Sequence, residues 1–500
     1  MTRNGIASVA AAATVVACLT VGAPRAQADP LTWGPCVTPI SDVDCAYLTV
    51  PMDRRDPGGP TFRVAVARHK STGSAEKRIG TLVFIPGGPG GSGVSQIGWV
   101  WMSLPLELRD RFDLVSWDPR GTGNTTPAAE PCLASDEYSV SGKAYRTGPI
   151  DWAAYSTQGR AYMTNYEVAC EAANRQIAPH LGSNANASDL DAIRRALGEE
   201  QLTLWGVSFG TRIGAVYAQT YPEHVRSMLL DGPMNPSSGW PPPEYNAPAG
   251  AKAFEWVARY FPAAGRQFRQ VLDHVTRHPV NLGDGVWVDR YSAPQYIYAD
   301  TGVQERYSSI ARRIDQLHDA VFATGEAQRA AQQAVRLHLS GAVAGAYTGE
   351  VTIVGLATFC LDTAARPTVE ERQPLAQRMF REYGAFEGGR VMSPTMSCYG
   401  FSFPPDPIPL AADGSGPALP TLVYGSSQDP FTPGPGITAL RKAFPGARSV
   451  TYRGTQHMVW TVIQSSCVTR PGIDFLLPAQ EPSSDSTCAN TYRKPGSMVG

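Results

Sequence analysis

Residues 202–220 read LTLWGVSFGTRIGAVYAQT, an apolar strand-like run that breaks at Gly206-Val207-Ser208-Phe209-Gly210 and resumes at once as a helical pattern. No other stretch limits the fold so tightly. A strand that turns into a helix within five residues must bend sharply at the serine, and glycines on either side remove the Cβ atoms that would crowd the bend. A strand feeding a helix is also half of a βαβ unit, which calls for a parallel sheet. The bare Gly-x-Ser-x-Gly pattern carries little weight, with roughly 0.3 chance matches in a chain of this composition. Its position between strand and helix gives it meaning.

The same design recurs along the chain. "GTLVFIPGGPGGSG" is an apolar run breaking into a glycine-rich loop, "FDLVSWDPRGTGNT" a strand with a turn at Asp118-Pro119, and "VRSMLLDGP" a further strand. Two alternating strands, "CAYLTVPMD" and "TFRVAVARHK", come before them around the turn-rich "RRDPGGP". Helical patterns fill 151–197, where Leu190, Ile193 and Leu197 share a face. The alternation stops after 233, where a proline-rich opening ("GWPPPEY") leads into helical segments, including one or two amphipathic helices over Val303–Leu339. It resumes at "TLVYGSSQDP" and "ARSVTYRGTQH". The expected fold class is therefore α/β, with a mostly parallel sheet covered on both faces and a large, mainly helical cap insertion. The expected boundaries are a signal segment at 1–28, the first part of the core at 29–233, the cap or lid at 234–418, and the second part of the core with its tail at 419–500.

Export is expected from the N-terminus. Arg3, the small apolar run Ile6–Val21 and Ala26-Gln27-Ala28 make a cleavable signal peptide. The rival reading is a lipoprotein signal with Cys18 as the lipidated residue. No later stretch is long and apolar enough to span a bilayer. Beyond Cys18 there are eight cysteines: Cys36, Cys45, Cys132, Cys170, Cys360, Cys398, Cys467 and Cys488. Eight cysteines allow 105 connectivities. These fall into four sequence-local pairs, so bridges 36–45, 132–170, 360–398 and 467–488 are expected. None has CxxC spacing, and no metal or organic cofactor is implied. Lys+Arg 43 against Asp+Glu 44 leaves no basic excess to hold a phosphate backbone, which argues against nucleic-acid partners.

A serine hydroxyl needs a base to become a nucleophile, and the base needs an orienting acid. In a fold of this pattern the chain order is serine, acid, histidine. Only His457 follows the last sheet strands; His69, His180, His224, His274, His278, His318 and His338 read as surface or packing residues. Asp429 lies just after "TLVYG" and is the expected acid, with Asp362 and Asp406 as fallbacks. The oxyanion hole is expected from the N–H groups of Phe209 and Gly88, with Gly87 second. A phosphate-cradling role for this glycine loop is disfavoured, because no Lys-Ser/Thr follows it.

The segments "VPMDRRDPGGPTFRVAVARH", "PGGPGGSG", "FDLVSWDPRGTGNT", "GVSFG", "DPFTP" and the tail "SSCVTRPGIDFLLP…STC" resemble the secreted actinobacterial tripeptidyl aminopeptidases of the α/β-hydrolase fold. Proline iminopeptidases are more distant relatives. The resemblance covers nearly the whole mature chain and is looser in the cap. It implies a secreted serine hydrolase that removes short peptides from free N-termini, with Ser208, Asp429 and His457 in the triad positions. Two features depart from common patterns: Pro86 where iminopeptidases carry histidine, and "GTQH", with Gln456, in place of Gly-x-Gly-His. An exopeptidase needs an acid for the substrate ammonium, and Glu255 and Asp231 are candidates, each also readable as a surface residue. The expected substrate is a peptide or an ester. Alternatives are a carboxylesterase with the same triad and, remotely, a catalytically silent binding protein.

Overall fold

Alternating side chains explain how one sheet builds two cores. The computed structural model describes residues 30–38, 40–130, 149–235, 243–345, 353–391, 398–410 and 413–494. The expected signal segment with Cys18, and also Cys132, lie outside them. Strands β1 (Gly34–Pro35), β2 (Val43–Pro51) and β3 (Thr61–His69) run antiparallel. They lead into β4 (Gly80–Ile85), β5 (Phe112–Trp117), β6 (Leu202–Val207) and β7 (Val225–Asp231). A small hairpin, β8 (Val280–Gly283) and β9 (Val286–Val288), stands apart. The chain then completes the large sheet with β10 (Thr421–Ser426), β11 (Arg448–Tyr452) and β12 (Ser486–Cys488). The order is β1-β2-β3-β5-β4-β6-β7-β10-β11-β12, and every pair beyond β5 is parallel.

Successive residues on these strands point to opposite faces. Leu82, Phe84, Trp205, Val207, Leu422 and Tyr424 enter one core, with Ile97 and Val100 of α1 (Gly93–Ser103). Val83, Ile85, Leu204, Leu230 and Val423 enter the other. There they meet three helices as the chain proceeds: α2 (Trp152–Ala173) through Cys170, α3 (Ser183–Leu197) through Leu190 and Ile193, and α4 (Gly210–Thr220) through Ile213. Each such side chain, fully buried, contributes about 1.5–3 kcal/mol before entropy is counted.

Strands β7 and β10 pair directly, Thr421 opposite Met228, although residues 232–420 lie between them in sequence. Within that interval α5 (Pro243–Tyr260), α6 (Pro262–Arg277), α7 (Ser292–Thr301), α8 (Tyr307–Phe322) and α9 (Gly325–Gly345) share a separate core containing Phe254, Phe268, Ile297, Ile310 and Leu317. The amphipathic stretch Val303–Leu339 thus becomes two helices. The interval is not uniform, however. Helix α10 (Ile353–Asp362) belongs to the sheet's own core, with Ile353, Leu356 and Phe359 packed there. Buried Asp362 at its end accepts hydrogen bonds from Ser183 N–H and Oγ (2.8 and 2.6 Å) and faces the Arg212 guanidinium of α4 at 3.6 Å.

The bridges Cys36–Cys45, Cys360–Cys398 and Cys467–Cys488 are formed, and Cys170 is disulfide-bonded. Among the described residues no helix is long and apolar enough to cross a membrane.

Candidate active site

Ser208 sits between β6 and α4 with φ 51, the left-handed region that side-chain-bearing residues seldom occupy. Its neighbours make that bend possible. A Cβ on Gly206 would lie 2.6 Å from the Gly210 carbonyl oxygen, and one on Gly210 would lie 2.1 Å from that of Ile85. The Ser208 N–H donates to the Asp231 carbonyl oxygen at 2.8 Å, so the bend is tied to the end of β7.

The glycine-rich loop after β4 runs beside the serine. A Cβ on Gly87 would stand 2.9 Å from that of Ser208 and 3.5 Å from its Oγ. Gly88 is exposed at φ 119, and the Gly91 N–H closes the loop on the Gly87 oxygen at 3.1 Å. Asp118 anchors the helix beyond the loop. Its carboxylate accepts from Ser92 Oγ (2.6 Å), Val94 N–H (3.0 Å) and Asn124 N–H (2.7 Å), fastening the start of α1 to the Asp118–Asn124 turn. Phe209 is buried, its ring edge-on to Phe359 of α10 at 5.2 Å.

Asp429 and His457 leave the carboxyl ends of β10 and β11. Buried Asp429 accepts the Phe431 and Thr432 N–H groups at Oδ1 (2.8 and 3.0 Å), with Thr432 Oγ1 and His457 Nδ1 at Oδ2 (2.8 Å each). The carboxylate acceptor places the proton on Nδ1 and leaves Nε2 as the basic nitrogen. Burial pushes the imidazole down, the charge and hydrogen bond of Asp429 and the charge of Asp231 push it up, and the net shift is upward. A Cβ on Gly232 would lie 3.1 Å from His457 Cε1, so the ring rests against the end of β7, the strand that holds Ser208.

The insertion supplies a wall that the sequence did not announce. His457 N–H donates to the Gly302 oxygen (2.7 Å), Gln304 N–H to Gln456 Oε1 (3.1 Å), Thr455 Oγ1 to the Thr301 oxygen (2.8 Å) and Tyr298 OH to the Pro430 oxygen (2.8 Å). The end of α7 and the turn after it therefore hold both the acid loop and the histidine loop. Gln456 gains a reason here, since its amide also donates to the His457 oxygen at 2.8 Å. Phe431 fills the gap, edge-on to His457 at 5.2 Å and to Tyr298 at 5.4 Å. Thr432 was the partner nearest to being readable, three residues after the acid; the 298–304 turn left no local signal.

The fallback acids go elsewhere. Asp362 is held by Ser183 and Arg212, and Asp406 pairs with Arg54 at the surface (2.5 Å). Among the other histidines, His69 stacks on Trp101 at 3.8 Å and His338 lies edge-on to Tyr296 at 4.7 Å. Neither acid considered for a substrate ammonium is available for it. Glu255 is exposed and forks onto Arg269 (2.8 and 3.0 Å), while buried Asp231 accepts from the backbone of Val459 and Trp460. No group of three or more His, Cys, Asp or Glu suited to a metal occurs among the described residues.

Residues 80–273 match the alpha/beta hydrolase fold family, and residues 385–488 match the TAP-like protein family. The chain is 28% identical to serine protease Hip1 of Mycobacterium tuberculosis, covering 96% of each chain. It is 28% identical to a tripeptidyl aminopeptidase of Streptomyces lividans, covering 94% of this chain and 88% of the relative. Carboxylesterase B of Mycobacterium tuberculosis is also 28% identical, over 94% of this chain and 92% of the relative. Glycine-flanked Ser208, the sheet order and these matches agree on an α/β-hydrolase fold, with residues 385–488 similar to the TAP-like protein family.

Proposed function

We propose that this chain is an exported serine exopeptidase that releases short peptides, tripeptides foremost, from free N-termini. The observation that carries the reading is the His457 Nδ1–Asp429 Oδ2 hydrogen bond (2.8 Å), held at the same sheet edge as the strained Ser208. Ser208 Oγ attacks the scissile carbonyl while His457 Nε2 takes its proton. The resulting oxyanion is received by the Phe209 and Gly88 N–H groups. The imidazolium, steadied by Asp429, returns the proton to the leaving amine, and an acyl-enzyme remains. Water then attacks the acyl carbon with His457 again as base, which frees the short peptide and restores Ser208. The serine protease and tripeptidyl aminopeptidase relatives support peptide chemistry. The three bridges support export into an oxidising compartment.

A second reading, a carboxylesterase with the same three residues, is favoured by the carboxylesterase relative. The two separate on one panel: tripeptide amides, their N-acetylated forms and short-chain p-nitrophenyl esters, with the protein and its Ser208→Ala variant. Turnover of free-N-terminus tripeptides that vanishes in the variant supports the exopeptidase. Ester turnover with every peptide refused supports the esterase, and activity surviving in Ser208→Ala overturns both.

A further inference from the structure

Asp231, at the end of β7, touches both halves of the site. Its backbone oxygen accepts the Ser208 N–H at 2.8 Å. Its buried carboxylate accepts the Val459 N–H at both oxygens (2.9 and 2.8 Å) and the Trp460 N–H at 2.8 Å. One residue thus grips the serine bend with its main chain and the far side of the histidine loop with its side chain. Between His457 and Val459 the chain passes through Met458 at φ 59, a conformation that residues other than glycine seldom adopt. Charge-assisted bonds to the next two N–H groups hold the loop in that shape. The His457 ring, pressed against Gly232, is fixed from behind by the same strand end.

Resting on the catalytic reading above, we propose that Asp231 is a positioning residue: a second carboxylate that sets the His457 ring relative to Ser208 and adds its negative charge to that of Asp429. The ionisable groups around it are His457, Asp429 and Tyr424 of β10, whose hydroxyl donates to the Val468 oxygen at 2.8 Å. Burial pushes the Asp231 carboxyl up to about 6, opposed by the Val459 and Trp460 N–H groups and by His457, and aided by Asp429. It is therefore ionised where a neutral His457 is needed as base. Its charge in turn raises the imidazole.

The test uses a fluorophosphonate probe, in which the serine oxygen displaces fluoride from phosphorus, so the readout needs no knowledge of the substrate. Peptide mapping of the labelled wild-type protein comes first. Label on a residue other than Ser208 defeats the catalytic reading itself, independently of Asp231. With Ser208 labelled, Asp231→Asn keeps the shape and removes the charge. Its plateau labelling rate is expected to fall about 10- to 100-fold, the cost of a misplaced catalytic group, and the acid limb of its pH profile to move to lower pH. Asp231→Glu keeps the charge and displaces it, so its plateau falls while its acid limb stays near that of the wild type. Cooperative melting curves establish that each variant is folded, and if Asp231→Asn does not fold, the Asp231→Glu plateau decides. Wild-type plateaus overturn the proposal. So does an equal loss of rate in both variants with neither acid limb moved, which is what simple loosening of the loop produces.

Discussion

Gly302 touches the loops that carry Asp429 and His457, and adding one methyl group there tests whether the insertion is part of the proposed site. A Cβ at this position would lie 2.4 Å from Phe431 Cε2, 2.8 Å from Cδ2 and 3.3 Å from Pro430 Cγ. Ordinary carbon contacts begin near 3.5 Å, so something must move by about 1 Å. Gly302 has φ −85, so alanine adds no backbone strain and the effect is steric. Either the Phe431 ring is driven toward His457, 5.2 Å away, or the turn retreats and stretches the His457 N–H bond to the Gly302 oxygen. Overpacking of this kind costs about 1–3 kcal/mol, and a shift of about 1 Å in a catalytic group costs about 10²-fold in rate. Gly302→Ala is therefore expected to melt a few degrees lower and to react with a fluorophosphonate probe about 100-fold more slowly at its plateau. Gly34→Ala, with nothing within 4 Å, serves as the neutral control. A Gly302→Ala protein that labels within twofold of wild type would show that the 298–304 turn merely rests on the site.

Three further outcomes are expected. Asp429→Asn should remain folded while kcat drops about 10⁴-fold, because the amide can no longer hold the Nδ1–H tautomer; a drop below tenfold would remove Asp429 from the mechanism. The net upward shift of His457 places the acid limb of kcat/KM above pH 6.5, with activity rising as the imidazole loses its proton, and a limb below 6.5 in a pH titration contradicts the Asp429–His457 pairing. By the same sign, the pair's contribution to stability is complete below pH 6.5, the ordinary value, and is lost as pH climbs through the higher folded one. Replacing Cys360 and Cys398 together with serine opens a bridge spanning 38 residues. It should cost about 4 kcal/mol by chain entropy, and a denaturant midpoint unchanged from wild type would mean that the bridge adds nothing to the fold.

The sheet and the three candidate site residues, Ser208, Asp429 and His457, were readable because their signals are local. Strand alternation, the glycines at 206 and 210 and the loop at 87–91 are written over stretches of ten residues or fewer. Chain order then picked His457 from eight histidines and Asp429 from the acids. The cysteine pairs behaved the same way wherever both partners are described. Gln456 was legible only as a departure, and its purpose depends on Gln304, more than 150 residues away.

What the sequence determined by itself is the framework: a parallel sheet with a serine bend, and an acid and a histidine leaving the later strands. Only the tertiary structure decided which carboxylate does what. Asp231 and Glu255 looked equally able to receive a substrate amine, yet one is buried against Val459 and Trp460 and the other forks onto Arg269 at the surface. Helix α10 likewise read as cap but lies in the sheet core. The physical reason is range. Backbone conformation follows from neighbours a few residues apart, whereas close packing and burial, which set a carboxylate's partners and its charge, depend on segments that meet only after the chain has folded.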